Sequence, residues 1–387
     1  MKPDRRTFLA MTAASYGGIL GANDRIRLGG IGMGGRGSYL VGLAVKAPAT
    51  ELVAVSDAYA PRMFAVKLKV GAQDAQDHAD YRELLDRKDI DAVVIGSPDH
   101  WHIPMTMDAV KAGKDVYVEK PVSHSIEEGE RFEKFMADSR QVVQVGYQQR
   151  SWQHFQVARD YVASGKLGKI SLVLVSWYQD YLRNRGVLPE IIADKVDWKK
   201  FLGSAPEQPY VPLRFARWRW FWDFGGGHLT DLYSHYGDVV HWAMGTNSPT
   251  AAQAMGSRDV LPEYECPDTI MATYEYPGFN LVYTGALNGS LDGGEIIFRG
   301  SKAMMKLNRD GFAVYPERVI PAEKTAYPEP ELSMRTMTVG TPEHMQNFLD
   351  CVRSRKTPNG DVKNAVAAAR AAHLGNLAYR KQTRIVP

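Results

Sequence analysis

Asp231 and His235 stand four residues apart in a run that follows the glycine triplet 225–227. On a helix that spacing puts both side chains on one face. A histidine beside a carboxylate can serve as a general base, the acid fixing the ring's tautomer while the imidazole takes a proton. His228 lies three residues before Asp231. The same face therefore also reads as a metal site, or as a satisfied structural His–Asp pair. Lys120, in Glu119-Lys120-Pro121, is a second chemical group. Proline disfavours the helical region for the residue before it, which holds Lys120 extended. The turn Ser97-Pro98-Asp99-His100-Trp101-His102 is the third. Two histidines one residue apart can ligate a metal, but between a strand and a helix they more often line or cap a cleft. Ser97, Pro98 and His102 are assigned to that lining, with no metal.

These groups need elements to hold them. The stretch 25–39 reads as a short strand, Ile26–Ile31, running into a glycine cluster that opens a helix near Arg36. Two Gly-x-Gly-x-x-Gly frames fit, and the one on Gly32, Gly34 and Gly37 keeps that strand intact. Its first glycine permits a tight turn, the second lets backbone amides approach a pyrophosphate, and the third lets helix pack on strand. Gly35 and Arg36 then sit at a helix N-terminus aimed at phosphates. A second strand, 52–56, ends at Asp57, where an acid meets a ribose hydroxyl and repels a 2′-phosphate. The cofactor expected is NAD rather than NADP, with Arg62 close enough to soften the preference.

From 23 to 148 the pattern alternates strand and helix: helices at 61–70, 81–85 and 104–112, strands at 92–96, 115–118 and 141–146, and a helix capped by Ser125. Continuous apolar strands fit a parallel sheet buried on both faces, with Glu119 and Lys120 at a strand's C-terminal end, where ligands bind. After Arg150 the character changes. A helix at 153–163 leads to period-2 segments at 170–177, 268–276, 280–285 and 295–299, which read as an open, largely antiparallel sheet. One strong helix is expected at 228–244, and two more at 342–353 and 362–379. The aromatic- and arginine-rich stretch 210–224 reads as core or interface by default, with sugar-stacking aromatics the alternative.

At 387 residues, two domains are expected, 23–148 and 149–387. Hydrophobic residues at 44% and charged ones at 24% suit a globular chain, and a net charge of +3 argues against a nucleic-acid partner. Two cysteines without CxxC spacing suggest neither a disulfide framework nor a cysteine-based zinc site. Residues 1–22, with Arg5 and Arg6 before a mild apolar run, read as a twin-arginine export signal, placing the protein in the periplasm or outside the cell; a cytoplasmic N-terminus is the alternative. That run is too short to span a membrane convincingly.

The glycine loop 31–37, the turn 97–102, Glu119-Lys120-Pro121, and Gly227 with Asp231-x-x-x-His235 occur in this order. Together they resemble the Gfo/Idh/MocA oxidoreductases, from about residue 23 to the C-terminal helices. The resemblance implies an N-terminal Rossmann domain followed by an α+β domain whose open sheet mediates homo-oligomerisation. It also implies catalysis by Lys120, Asp231 and His235 on sugar or polyol hydroxyls with NAD(P). Because the family includes NAD-dependent glycosidases that recycle a tightly bound NAD, that chemistry is the alternative.

Overall fold

The computed structural model describes residues 25–183, 190–318 and 327–387; the expected leader at 1–22 lies outside them. The N-terminal half runs β1 (Ile26–Ile31), α1 (Gly35–Ala44), β2 (Thr50–Ser56), α2 (Ala60–Val70), β3 (Gln76–His78), α3 (Tyr81–Asp86), β4 (Ala92–Ile95), α4 (Asp99–Lys111), β5 (Asp115–Val118), α5 (Ile126–Met136) and β6 (Val143–Val145). All six strands are parallel, in the order β3-β2-β1-β4-β5-β6. The order reverses between β1 and β4, which opens a crevice beyond their C-terminal ends. Every residue of β4 and β5 is buried, as their unbroken apolar runs predict.

Two local details differ from expectation. Helix α4 begins at Asp99, not at 104, and carries Pro104 inside it. Asp99 lies in its first turn, where a carboxylate suits the dipole, and the His100 amide reaches the Phe224 carbonyl at 3.4 Å. Ser97 and Pro98 of the 97–102 turn are therefore loop, and the four residues from Asp99 are helix. Strand β3, with three residues and no buried position, offered no apolar signal.

The second half holds α6 (Gln153–Ala163), β7 (Ile170–Tyr178), α7 (Trp198–Leu202), α8 (Pro212–Ala216), a π-helical turn (Leu229–Tyr233), α9 (Ser234–Met244), and strands β8 (Ala251–Ser257), β9 (Thr269–Tyr276), β10 (Phe279–Ala286), β11 (Gly294–Gly300), β12 (Ala303–Asn308), β13 (Gly311–Pro316) and β14 (Leu332–Arg335). Their order is β14-β13-β12-β11-β7-β10-β9-β8. Each pairing is antiparallel except β7 with β10. In β9 Ile270, Ala272, Tyr274 and Tyr276 are buried, while Met271, Thr273 and Glu275 are exposed. One sheet face is thus core and the other is open.

The chain then returns to its first half. Helix α10 (Thr341–Ser354) packs Met345, Phe348 and Leu349 into the cluster that holds Leu40 and Val41. Helix α11 (Val362–Lys381) buries Ala365, Val366, Ala368 and Ala369 with β5 and α5, and Ala371, Ala372 and Leu374 with the second core. Its alanine-rich face permits close approach on both sides. A buried ion pair adds a second tie: Arg150 donates to both Asp238 oxygens at 2.8 Å, anchoring α9 to the segment that follows β6. No helix among the described residues is long and apolar enough to cross a membrane.

Candidate active site

The end of β1 and the end of β4 approach so closely that only glycine fits. Gly32 has φ of 74°, and a Cβ there would stand 2.5 Å from the Ser97 amide nitrogen. A Cβ on Gly37 would collide with the Gly32 carbonyl oxygen. Gly35, by contrast, faces open space, and so nearly does Gly34. The loop is packed below and bare above, the condition for a phosphate to rest on its amides and on the N-terminus of α1.

Above it lies a cavity of about 650 Å³ whose lining includes Gly32, Gly34, Gly35, Arg36, Asp57 and Arg219. Ser97, Pro98 and Trp101 border it from the β4 side. Asp57 accepts the Tyr59 amide at 2.8 Å through Oδ1, and Arg62 lies 3.6 Å from the same oxygen. Its Oδ2 is buried without a partner. Burial pushes the Asp57 carboxyl up, against the pull of Arg62. A free acceptor at this strand end is what a ribose diol would satisfy. These residues fit a dinucleotide.

The remaining expected contacts fall elsewhere. His102 does not line the cavity: its ring nitrogens sit 2.6 Å from the Pro121 oxygen and 2.9 Å from the Ser97 oxygen, bracing the ends of β4 and β5. Glu119 is buried against Arg36, whose Nε donates to it at 2.8 Å. Arg36 thereby joins the glycine loop to the end of β5.

Lys120 reaches across to the π-helical turn. Its ammonium donates to the Asp231 backbone oxygen at 2.6 Å and to Asp231 Oδ1 at 2.8 Å. Arg219 Nε donates to the same Oδ1 at 3.1 Å. Burial alone would raise the Asp231 carboxyl, but Lys120 and Arg219 overcome it and hold the group down at about 2. A backbone oxygen captured by a lysine competes with the helical hydrogen bond, one physical route to an opened turn. The expected single helix at 228–244 accordingly starts as a π-turn, a feature frequent at functional sites.

The expected Asp231–His235 pair is not made. Two cations are stronger partners for a buried carboxylate than a neutral ring. His235 instead stacks on Trp177 at 5.6 Å, and its Nδ1 is buried without a partner. Burial, with Lys120, Arg309 and Arg36 adding to it, pushes His235 well below its ordinary value, so the ring is neutral at pH 7. Neither Lys120 nor His235 borders the 650 Å³ cavity itself; Arg36 and Arg219, from the two ion pairs, do. His228 turns away to hydrogen bond the Tyr283 hydroxyl at 2.6 Å. Among the described residues no three His, Cys, Asp or Glu side chains are grouped to hold a metal.

Sequence reasoning missed Arg219, which lies in the 210–224 stretch read as core or interface. Phe215, Trp220, Phe221 and Phe224 are core, but Trp218 and Arg219 face the cavity. No local signal separates them.

Residues 26–147 match the oxidoreductase family with an NAD-binding Rossmann fold, and residues 159–386 match that family's C-terminal alpha/beta domain. The chain belongs to the Gfo/Idh/MocA oxidoreductase family. Among curated members, it is 31% identical to inositol 2-dehydrogenase of Rubrobacter xylanophilus over 178 residues, which is 46% of this chain and 49% of that protein. It is 28% identical to scyllo-inositol 2-dehydrogenase (NAD(+)) of Bacillus subtilis over 43% of this chain and 46% of that one. A third relative, alpha-N-acetylgalactosaminidase of Shewanella oneidensis, is 36% identical over 27% of this chain and 24% of its own. The match spans about half the length of the two inositol dehydrogenases or less. The fold agrees with levoglucosan dehydrogenase in complex with NADH and levoglucosan at a TM-score of 0.72 and 18% identity, over 94% of this chain and all of that one.

Gly37→Ala should weaken NAD binding about tenfold or more, since overpacking costs roughly 1–3 kcal/mol and the atom met first is the Gly32 backbone oxygen, which cannot swing aside. Fluorescence titration checks it, and unchanged affinity would refute the close-approach account of the loop.

Proposed function

We propose that the protein is an NAD-dependent oxidoreductase acting on a hydroxyl of a sugar or polyol. The observation that carries this reading is a neutral, buried histidine with an unpartnered ring nitrogen in the field of Lys120, whose partner Asp231 is shared with Arg219 on the wall of a dinucleotide-fitting cavity. The inositol dehydrogenase relatives support the substrate class.

In this mechanism His235 takes the proton of the substrate hydroxyl. Of the three Lys120 N–H donors, two are held by Asp231, which leaves one for the same oxygen as negative charge develops on it. Asp231 aims the lysine rather than the histidine. Bound NAD supplies a hydride acceptor for the adjacent carbon. Asp57 favours NAD over NADP, because its free oxygen accepts from the ribose and repels a 2′-phosphate.

The 36% identical stretch shared with alpha-N-acetylgalactosaminidase supports a second reading, a glycosidase with recycled NAD. Product analysis separates them: net NADH for the first, free sugar without NADH for the second.

Export through residues 1–22 and homo-oligomerisation through the open sheet face, where Met255 and Met271 are exposed, belong to the same proposal. A chain that stays in the cytoplasm with Met1 intact removes the first; sedimentation as a monomer removes the second.

Lys120→Ala should leave NAD affinity largely intact and cost turnover roughly 2.7–4 kcal/mol, the scale of losing one donor to an oxyanion. His235→Ala should lose on the order of a hundred- to ten-thousand-fold. The pH profile adds a signed test. A base held below 6.5 puts the acid limb of kcat/KM below pH 6.5. Lys120→Ala removes a cation that depresses His235, so the residual activity should show that limb at higher pH. An acid limb that stays put, or moves down, would count against His235 as the base.

A further inference from the structure

Each of the site's cations but one has a carboxylate; Lys120 is buried, and the arginines are half-buried. Lys120 and Arg219 share Asp231, and Arg36 has Glu119. Arg309, in the turn between β12 and β13, pairs with no carboxylate among the described residues, and its Nε is out of water without a hydrogen-bond partner. Its guanidinium lies over the Trp177 ring at 4.7 Å, and Trp177 is the ring on which His235 stacks. Trp177, Tyr236 and Arg309 together line a second hollow of about 510 Å³. Asp292 and Asp310 also border it, but both are exposed and neither bonds Arg309.

Arg309 is half-buried, but a guanidinium N–H out of water normally has an acceptor, because its desolvation is otherwise uncompensated. Here the protein supplies one ring face and no anion. Lys120, Arg36 and Arg309 all act on His235 with the same sign. A neutral substrate would leave that excess charge in place. A carboxylate would neutralise it and match the planar fork of the guanidinium with two parallel hydrogen bonds.

We propose that Arg309 is a specificity-determining residue that binds a carboxylate of the substrate, so that the preferred substrate is a sugar acid rather than a neutral sugar. This rests on the reading of the His235 site as the place where a sugar hydroxyl reacts. The acid group would lie on the Trp177 side of His235, and the reacting hydroxyl between His235 and Lys120.

The test uses hexuronates and aldonates beside their neutral parent sugars, with wild type, Arg309→Gln and Arg309→Lys. Binding is followed by calorimetry with NAD present, and turnover by NADH absorbance. At least one acid should bind the wild type about ten- to a hundredfold more tightly than its parent, the scale of hydrogen bonds to a charged group. In Arg309→Gln that ratio should collapse toward one, with the loss mainly in KM. Arg309→Lys should recover part of it through charge without the fork. NAD affinity, set at the glycine loop, serves as the check that the variants are folded. If no acid binds better than its parent, or if Arg309→Gln leaves the ratio unchanged, the inference is overturned. Acids that bind through Arg309 without producing NADH would overturn the dehydrogenase reading while upholding the carboxylate site.

Discussion

The ion pair between Lys120 and Asp231 joins positions 111 residues apart and sets the geometry on which the site depends. One partner lies just past the end of β5 in the Rossmann sheet, and the other sits in a π-turn of the second half. Such a pair is not chiefly a source of stability. Desolvating two charges offsets most of their attraction, while removing one partner leaves the other buried at a cost of about 3–5 kcal/mol. The pair therefore works as a constraint: the cleft closes in the one arrangement that satisfies both charges. Arg219 on the same carboxylate oxygen tightens it from a third direction.

That constraint also divides labour between two residues that look like partners. Asp231 is committed to cations, so His235 stands as a neutral ring without a carboxylate behind it. The protein depresses its basicity by burial and by three cations instead of raising it with an acid. Asp231 is linked to pH in the opposite way from a buried neutral group. Its folded-state value, about 2, lies below the ordinary 3.8. The stabilisation it contributes is thus complete above about pH 4 and is lost as pH falls toward 2.

Much of the first half was legible because its signals are local. Glycines 32 and 37 mark a close approach that no other residue fits, and the apolar runs at 92–95 and 116–118 are long enough to declare buried strands. Strands β8 and β12 to β14 fall outside the period-2 segments the sequence shows, and β14 has no buried position. The partners of charged residues were illegible for a deeper reason. Spacing placed Asp231 beside His235 on one helix, but the cations that claim Asp231 arrive from the loop after β5 and from an aromatic stretch that reads as core. Arg150 with Asp238, and Arg309 with Trp177, are likewise products of tertiary packing. In each case sequence identified the charge and only the fold chose its partner.

The most direct test is a pair of double-mutant cycles measured by denaturant unfolding, which needs no substrate. One cycle combines Lys120→Met with Asp231→Asn; the other combines Asp231→Asn with His235→Gln. The account predicts coupling of about 0.5–3 kcal/mol for lysine and aspartate, and additivity within roughly 0.5 kcal/mol for aspartate and histidine. Additive Lys120 and Asp231 with strongly coupled Asp231 and His235 would contradict it, and would return Asp231 to the role of orienting the base.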